Sequence, residues 1–197
     1  MRHAKLVVML KVPRAGRVKT RLGREIGMTR AAWWFRHQVK GLLRRIEDPR
    51  WQTILAVAPD HDGMAFRRWP AHLTRLPQRR GDLGARMGRL MRGLSPGPVC
   101  IIGGDIPGVT RAHIARAFKA LGDHEAVFGP APDGGYWLVG LKRSGRVPPT
   151  AFGGVRWSSE HALADSMASL PGARIALTDT LQDVDTAEDL RRICASV

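Results

Sequence analysis

The sequence predicts a three-layer α/β domain around a mainly parallel sheet, and two observations carry this. Short, uninterrupted apolar runs at Leu6–Leu10 (LVVML), Thr53–Ala58 (TILAVA) and Pro98–Gly103 (PVCIIG) read as strands buried on both faces. Between them lie segments whose apolar residues recur every three or four positions, so strands alternate with helices along most of the chain. A length of 197 residues suits one domain over 1–197 and can bury a core without disulfides or a structural metal.

The first strand opens into a basic loop, Lys11 to Gly23, punctuated by Gly and Pro. Thr29–Glu47 reads as a helix with Trp33, Val39, Leu42, Leu43 and Ile46 on one face, and one ring of the Trp33-Trp34 pair is expected inside. Pro59-Asp60 closes the second strand; a short helix over Met64–Trp69 and a brief strand over Leu73–Leu76 follow. Leu83, Met87, Leu90, Met91 and Leu94 mark a helix, the methionines as core. Thr110 caps a helix carrying Ile114, Ala117, Phe118 and Leu121. Glu125–Gly129 and Tyr136–Leu141 read as strands, and Ser158 opens a helix running through Leu163, Met167 and Leu170. A strand at Arg174–Leu177 precedes the last helix, Thr186–Ala195, where Thr186 and Asp189 have capping-box spacing.

Composition narrows the class. Hydrophobic residues at 44% and charged residues at 25% exclude collagen-like, wholly disordered and disulfide-framework chains. No apolar run reaches the roughly 18 residues of a membrane span, and the run after Lys5 is too short for a signal-peptide core. Cys100 and Cys194 read as reduced thiols of a cytoplasmic protein. The seven histidines show no zinc-site spacing. The formal net charge of +15 is unevenly spread. Residues 1–92 carry 22 basic and 6 acidic side chains, whereas residues 93–197 carry 10 and 11. Such a basic half reads as a solvated surface, a nucleic-acid face or a binder of phosphate-bearing small ligands.

Ligands of α/β sheets bind beyond the carboxyl ends of the strands, so the loops there are the candidates. After the first strand, Lys11, Arg14, Arg17, Lys19 and Arg21 crowd around Gly16 and Thr20. Glycine lets backbone approach an anion, and Lys and Arg supply a point charge and a phosphate-matched fork. The spacing is not that of a Walker A loop. After the third strong strand, Gly103-Gly104-Asp105-Ile106-Pro107-Gly108 offers a carboxylate for Mg²⁺ or Mn²⁺, or else a turn aspartate. Asp183 and Asp185 precede the last helix and serve as ligands or as favourable charges at its start. Asp133-Gly134-Gly135-Tyr136 makes either a close ligand contact or a plain hairpin turn. Gln78 with Gly81-Asp82-Leu83-Gly84 and Arg86 precedes a helix start that could receive an anion or a base edge, although Asp82 could simply cap it.

In this order, and together with Trp157-Ser158 and Asp183-Val184-Asp185-Thr186-Ala187-Glu188-Asp189-Leu190, these segments resemble the bacterial DUF2064 family, often labelled glycosyltransferase (radical-SAM/selenodomain-associated transferase 1), of the nucleotide-diphospho-sugar transferase superfamily. The resemblance covers nearly the whole chain. It implies a GT-A-like fold, Asp105 and Asp185 as ligands of Mg²⁺ or Mn²⁺, and Gly16, Lys19 and Arg21 along the nucleotide phosphates. Gly104 departs from the Ser or Thr that relatives often carry. The implied activity is a metal-dependent, nucleotide-utilising transferase. The basic loop favours nucleotidyl transfer from a nucleoside triphosphate, with glycosyl transfer from a nucleotide sugar as the alternative. Lys19, Arg21 and Asp105 would be the catalytic residues. Gly16, Lys19, Thr20, Arg21, Gln78, Gly81, Asp82, Gly84, Arg86, Asp133, Gly134 and Gly135 would bind the nucleotide, and a small molecule of unassigned identity would accept the group. A nucleic-acid-binding protein is the reading from another class; it lacks any recognition motif and leaves the carboxylates without a role. No membrane partner is expected.

Overall fold

The structure is a computed structural model that describes residues 3–195, with side chains as far as residue 193, so the expectation for the Cys194 thiol falls outside it. Along the chain run β1 (Ala4–Lys11), α1 (Thr20–Ile26), α2 (Met28–Ile46), β2 (Trp51–Ala58), α3 (Asp60–Ala65), β3 (Thr74–Pro77) and α4 (Leu83–Gly93). Then come β4 (Val99–Gly103), α5 (Arg111–Ala120), β5 (Ala126–Pro130), β6 (Tyr136–Leu141), α6 (Ala162–Ala168), β7 (Ile175–Leu177) and α7 (Ala187–Ala195).

The strands form one seven-stranded sheet in the order β3-β2-β1-β4-β6-β5-β7. β3, β2, β1 and β4 are parallel, as are β5 and β7, while β6 runs against both of its neighbours. The central strands serve two cores, one on each face, which is why their sequences are apolar without alternation. Leu6, Val8 and Leu10 of β1 join Leu55 and Val57 of β2 beneath Phe35, Val39, Leu42 and Ile46 of α2 and Ile114 of α5. Val7 of β1, Ile54 of β2 and Ile101 of β4 face the other way, onto Met87, Leu90 and Met91 of α4 and onto Phe152. A helix layer on each side of the sheet gives the three layers expected.

Several boundaries differ from expectation. The basic loop gives way at Thr20 to α1, whose start lacks every usual signal: Lys19 at its N-cap makes no side-chain cap bond, and no acid lies in its first turn. Glycine at position 23 suits it, because a Cβ there would meet Met28 Sδ at 2.5 Å. The next short helix starts at Asp60 rather than Met64. Asp60 and Asp62 complement its first turn, and Gly63 lets it lie against Val57. The helix expected from Ser158 begins only at Ala162, because Ser158 is left-handed (φ 60°). Phe35, not Trp33, continues the buried stripe of α2; Trp33 is 58% exposed and lies against His37, the two rings tilted by 49°.

Candidate active site

The chain leaves β1 for β2 on one side and later returns to β4 on the other, so β1 and β4 flank the point where strand order reverses. Crevices form beyond the carboxyl ends of such a pair. A cleft of about 610 Å³ lies there, lined by Lys11, Arg17, Lys19, Thr20, Arg21 and Arg86, with Asp105 and Asp185 among them.

Lys19 is the centre of this cleft. It follows β1, sits in the left-handed region (φ 45°, ψ 49°) and accepts the first helical bond of α1 from Gly23 N–H at 2.8 Å. A lysine held in that conformation marks local strain of the kind found at functional sites. Its side chain is only 7% exposed, and its Nζ lies 2.6 Å from Asp105 Oδ2, 2.7 Å from Asp185 Oδ1 and 3.5 Å from Asp183 Oδ2. Arg21 Nη1 reaches the other oxygen of Asp185 at 3.1 Å. Burial alone would lower the lysine pKa; Asp105 and Asp185 outweigh it and hold the ammonium well above its ordinary value. The Asp183 carboxyl is pushed up to about 6, first by burial; Lys19 opposes the rise, and Asp105, Asp185 and Asp133 add to it.

Three devices bring these distant residues together. Leu22, Ala31 and Val184 form a small separate core that packs the start of α1 against the acidic segment. The Val184 N–H donates to the Asp105 carbonyl at 3.3 Å, and the Ala187 N–H donates to Glu25 Oε2 at 3.3 Å. The turn into α7 is closed by the expected capping box: Asp189 Oδ2 accepts from the Thr186 N–H at 2.8 Å, and Thr186 Oγ1 accepts from the Asp189 N–H at 3.2 Å. Asp189 thus takes the capping role, which leaves Asp183 and Asp185 free to face Lys19.

Of the residues read from sequence, Lys19, Thr20, Arg21, Gln78, Arg86, Asp105 and Asp185 line the cleft. The Gln78 side chain, 3% exposed, spends its amide hydrogens on the Leu10 and Ala56 carbonyls and so ties β1 to β2 at the cleft edge. Gly16, Gly81, Asp82, Gly84, Asp133, Gly134 and Gly135 lie outside the lining. Asp82 caps α4, accepting from the Ala85 N–H at 2.7 Å, and the Gly81 carbonyl accepts from Arg86 Nε at 2.8 Å. Gly84 and Gly134 are close-packing positions, where a Cβ would lie 2.2 Å from the Phe152 and Glu160 carbonyl oxygens respectively. Asp133 accepts from the Gly135 N–H within the β5–β6 hairpin turn. Gly16 (φ 71°) stands in open space. A Cβ on Gly104 would be 2.4 Å from Leu10 Cδ2 and 3.2 Å from Val39 Cγ2, so a hydroxyl there would face the core and not a ligand at Asp105. Phe35 and Ser158 also line the cleft. Phe35 could have been found from the helical stripe, and only the left-handed geometry singles out Ser158.

Asp105 and Asp185 each place an oxygen against one ammonium, so their donors converge. Hard oxygens so arranged fit Mg²⁺ or Mn²⁺, which take one or two carboxylates and complete the shell with water and substrate phosphates. Among the described residues no group of three or more His, Cys, Asp or Glu side chains forms a metal cage. Nor is any helix among them long and apolar enough to cross a membrane.

Several solved structures share this architecture. A "putative nucleotide-diphospho-sugar transferase" from Desulfovibrio desulfuricans G20 is 27% identical, with a TM-score of 0.85 over 98% of this chain and 87% of that one. The Rv0371c protein of Mycobacterium tuberculosis H37Rv, in complex with manganese, is 18% identical over the full length of both chains, with a TM-score of 0.57. A CMP:2-keto-3-deoxy-manno-octonic acid synthetase complexed with CTP is 12% identical over 98% of each chain, with a TM-score of 0.58. No curated protein matches the sequence. The profile of the bacterial family DUF2064, described as an uncharacterized protein conserved in bacteria, matches residues 42–159, more than half of the sequence, and the chain belongs to that family.

Proposed function

We propose that this chain is a metal-dependent, nucleotide-utilising transferase, and that nucleotidyl transfer from a nucleoside triphosphate is its reaction. One observation carries the reading: two carboxylates from distant segments converge on Lys19 in the floor of a cleft walled by Lys11, Arg17, Arg21 and Arg86. The shared fold, the CTP complex of one neighbour and the manganese complex of another support it. A nucleic-acid role for the basic half fits less well, because it gives the convergence of Asp105 and Asp185 on Lys19 no part to play and the chain carries no nucleic-acid recognition motif.

Arg17, Arg21 and Arg86 would grip phosphate oxygens through charge-assisted bonds. Asp105 and Asp185 would hold the divalent cation, which when bound neutralises charge on the phosphate under attack. Lys19 has three N–H donors and can exchange one carboxylate for a phosphate oxygen while keeping the other. An acceptor oxygen attacks the α-phosphorus in line as the bond to the departing pyrophosphate breaks. The acceptor proton goes to solvent, and the pyrophosphate charge falls to the arginines. Positioning and electrostatics suffice, and no covalent enzyme intermediate is needed.

Glycosyl transfer is the second reading, favoured by the name of the Desulfovibrio relative. The test offers each nucleoside triphosphate and nucleotide sugar, with Mg²⁺ or Mn²⁺ and a pool of phosphorylated and hydroxylated acceptors, and follows pyrophosphate and nucleoside diphosphate separately. Metal-dependent pyrophosphate release is expected. Nucleoside diphosphate released from a nucleotide sugar, with no triphosphate turnover, would replace nucleotidyl transfer with glycosyl transfer.

A further inference from the structure

Helix α2 borders two cavities. One, of about 640 Å³, lies against residues 66–73; Val39, Leu43 and Trp69 are shut into the main core there, which leaves only cations around it, Arg36, Lys40 and Arg44 at four-residue steps on α2 and Arg68 opposite. The other is the cleft beyond β1 and β4, and its two walls come from opposite faces of the sheet. Lys19 and Arg21 stand on the α2 side, where Val18 and Phe35 join the core beneath that helix. Leu83, Arg86 and Ser158 stand on the α4 side, where Trp157 packs against the other core. A Cβ on Gly84 would lie 2.9 Å from Trp157 Cζ2, so the start of α4 and the segment carrying Ser158 meet closely on this wall.

Among the described residues five non-glycines have a positive φ, and two of them, Lys19 and Ser158 (φ 60°), line the cleft from opposite sides. A serine in the left-handed region is uncommon and persists only where its surroundings over-determine it. Here they do. Before Ser158, the Arg156 backbone N–H and guanidinium donate three bonds to the Asp165 carboxylate, at 2.9 to 3.0 Å. Trp157 lies edge-on to Tyr136, with ring centroids 6.4 Å apart. After Ser158, Ser159 Oγ donates to the Arg156 carbonyl at 2.7 Å and accepts from the His161 N–H at 3.3 Å. Arg156 and Ser159 thus spend their polar groups on holding the segment. Ser158 does not: the residue is exposed in the cleft, and its hydroxyl has no partner among the described residues.

We propose that the Ser158 hydroxyl binds a ribose hydroxyl of the nucleotide and so selects ribonucleotides. This rests on the nucleotide reading and extends it to the sugar. The cations and carboxylates of the α2 wall suit phosphates and a metal ion. Apart from Arg86, the α4 wall offers instead a hydroxyl without a partner and Leu83, which is 42% exposed, and so suits the uncharged end of the same ligand. A serine hydroxyl both donates and accepts, so it pairs with a sugar hydroxyl in either sense. Ribose is the hydroxyl-bearing part that a nucleoside triphosphate and a nucleotide sugar have in common, so the contact is the same for nucleotidyl and for glycosyl transfer.

Calorimetry on the full chain with Mg²⁺ compares each ribonucleoside triphosphate with its 2′,3′-dideoxy counterpart and with inorganic tripolyphosphate. The ribo form should bind roughly three- to tenfold more tightly than the dideoxy form, the worth of a hydrogen bond between neutral groups. Ser158→Gly removes the hydroxyl and suits the left-handed backbone, so the free variant should melt no lower than the parent. It should bind ribo and dideoxy forms alike, and tripolyphosphate as the parent does. Ser158→Ala keeps the Cβ and the strained backbone and should treat the three ligands in the same way, which assigns the effect to the hydroxyl. A parent indifferent to the sugar, or a Ser158→Gly variant that still prefers the ribo form, would overturn the contact and leave the nucleotide reading standing. An equal loss of tripolyphosphate binding would make Ser158 a structural residue of the cleft and overturn the contact too. A parent that binds no triphosphate at all would remove the nucleotide reading, and this contact with it.

Discussion

The two cavities that border α2 are nearly equal in volume, about 610 and 640 Å³, and handle charge in opposite ways. In the cleft, cations from the loop after β1 meet carboxylates from the end of β4 and the start of α7, and Lys19 and Asp185 are 166 residues apart in sequence. In the second cavity the cations come from one helix and one neighbouring segment, and the carboxylate in its lining, Glu47, pairs with His72 instead. In the first, folding itself pairs Lys19 and Arg21 with carboxylates and leaves Lys11, Arg17 and Arg86 on the walls without one among the described residues. In the second, none of the lining Arg and Lys side chains has a carboxylate partner among the described residues. The cleft is held by a small core and a capping box, and the wall of the other cavity by the main core together with the aromatic contact of Phe66 and Trp69.

The largest effect should come from Asp105→Asn, which keeps shape and removes a converging charge. Turnover should fall by roughly 10²–10³-fold, as when one electrostatic contact to the transition state is lost. Metal-dependent nucleotide binding, read by thermal shift, should fall with it. Unchanged nucleotide and metal binding in this variant would dissolve the contrast between the cavities. Leu22→Ala tests the pinning: Leu22 is fully buried in the small core, and its truncation should cost about 2–4 kcal/mol in chemical denaturation. Nucleotide affinity should fall with stability, because Lys19 and Asp185 lose their register. Next is Lys19→Met, which leaves Asp105 and Asp185 facing each other. The penalty should be about 1–3 kcal/mol, less than for a fully buried pair because both carboxylates reach water. Millimolar Mg²⁺ should recover part of it, and equal stability with and without Mg²⁺ would argue against a cation at these oxygens. Arg21→Ala should do least. Its guanidinium is mostly exposed, so the ion pair with Asp185 is worth under about 1 kcal/mol to the fold. The loss should appear instead as weaker triphosphate binding by calorimetry, with a nucleoside lacking phosphates bound as before.

Much of the fold was legible in the sequence because the central strands are buried on both faces, and an uninterrupted apolar run such as LVVML records that directly. α1 was not legible, since its start depends on the left-handed Lys19, held by tertiary contacts with the acidic segment and by no local cap. The candidate site was legible as separate loops. What sequence could not show is that Lys19 points into the carboxylates, a pairing that depends on Leu22 and Val184 closing the small core. Gly84 and Gly134 stand where backbone from another segment passes within contact distance, so packing explains them without a ligand. The second cavity left no mark in the sequence beyond the four-residue recurrence of cations on α2, which in so basic a chain looks like ordinary solvated surface.

One ammonium shared between two acids also sets a logic of arrival. A divalent ion coming alone must break bonds that Lys19 already makes at 2.6 and 2.7 Å, and a polyphosphate coming alone meets the field of the same carboxylates. On the proposed reading, an ion and a phosphate arriving together would each lower the obstacle to the other, since the ion would draw carboxylate oxygen away from Lys19 and the phosphate would take the bond that the ammonium gives up. By reciprocity each would then tighten the other by the same factor. The resting protein would leave free ions and free polyphosphates largely alone and respond to their coincidence.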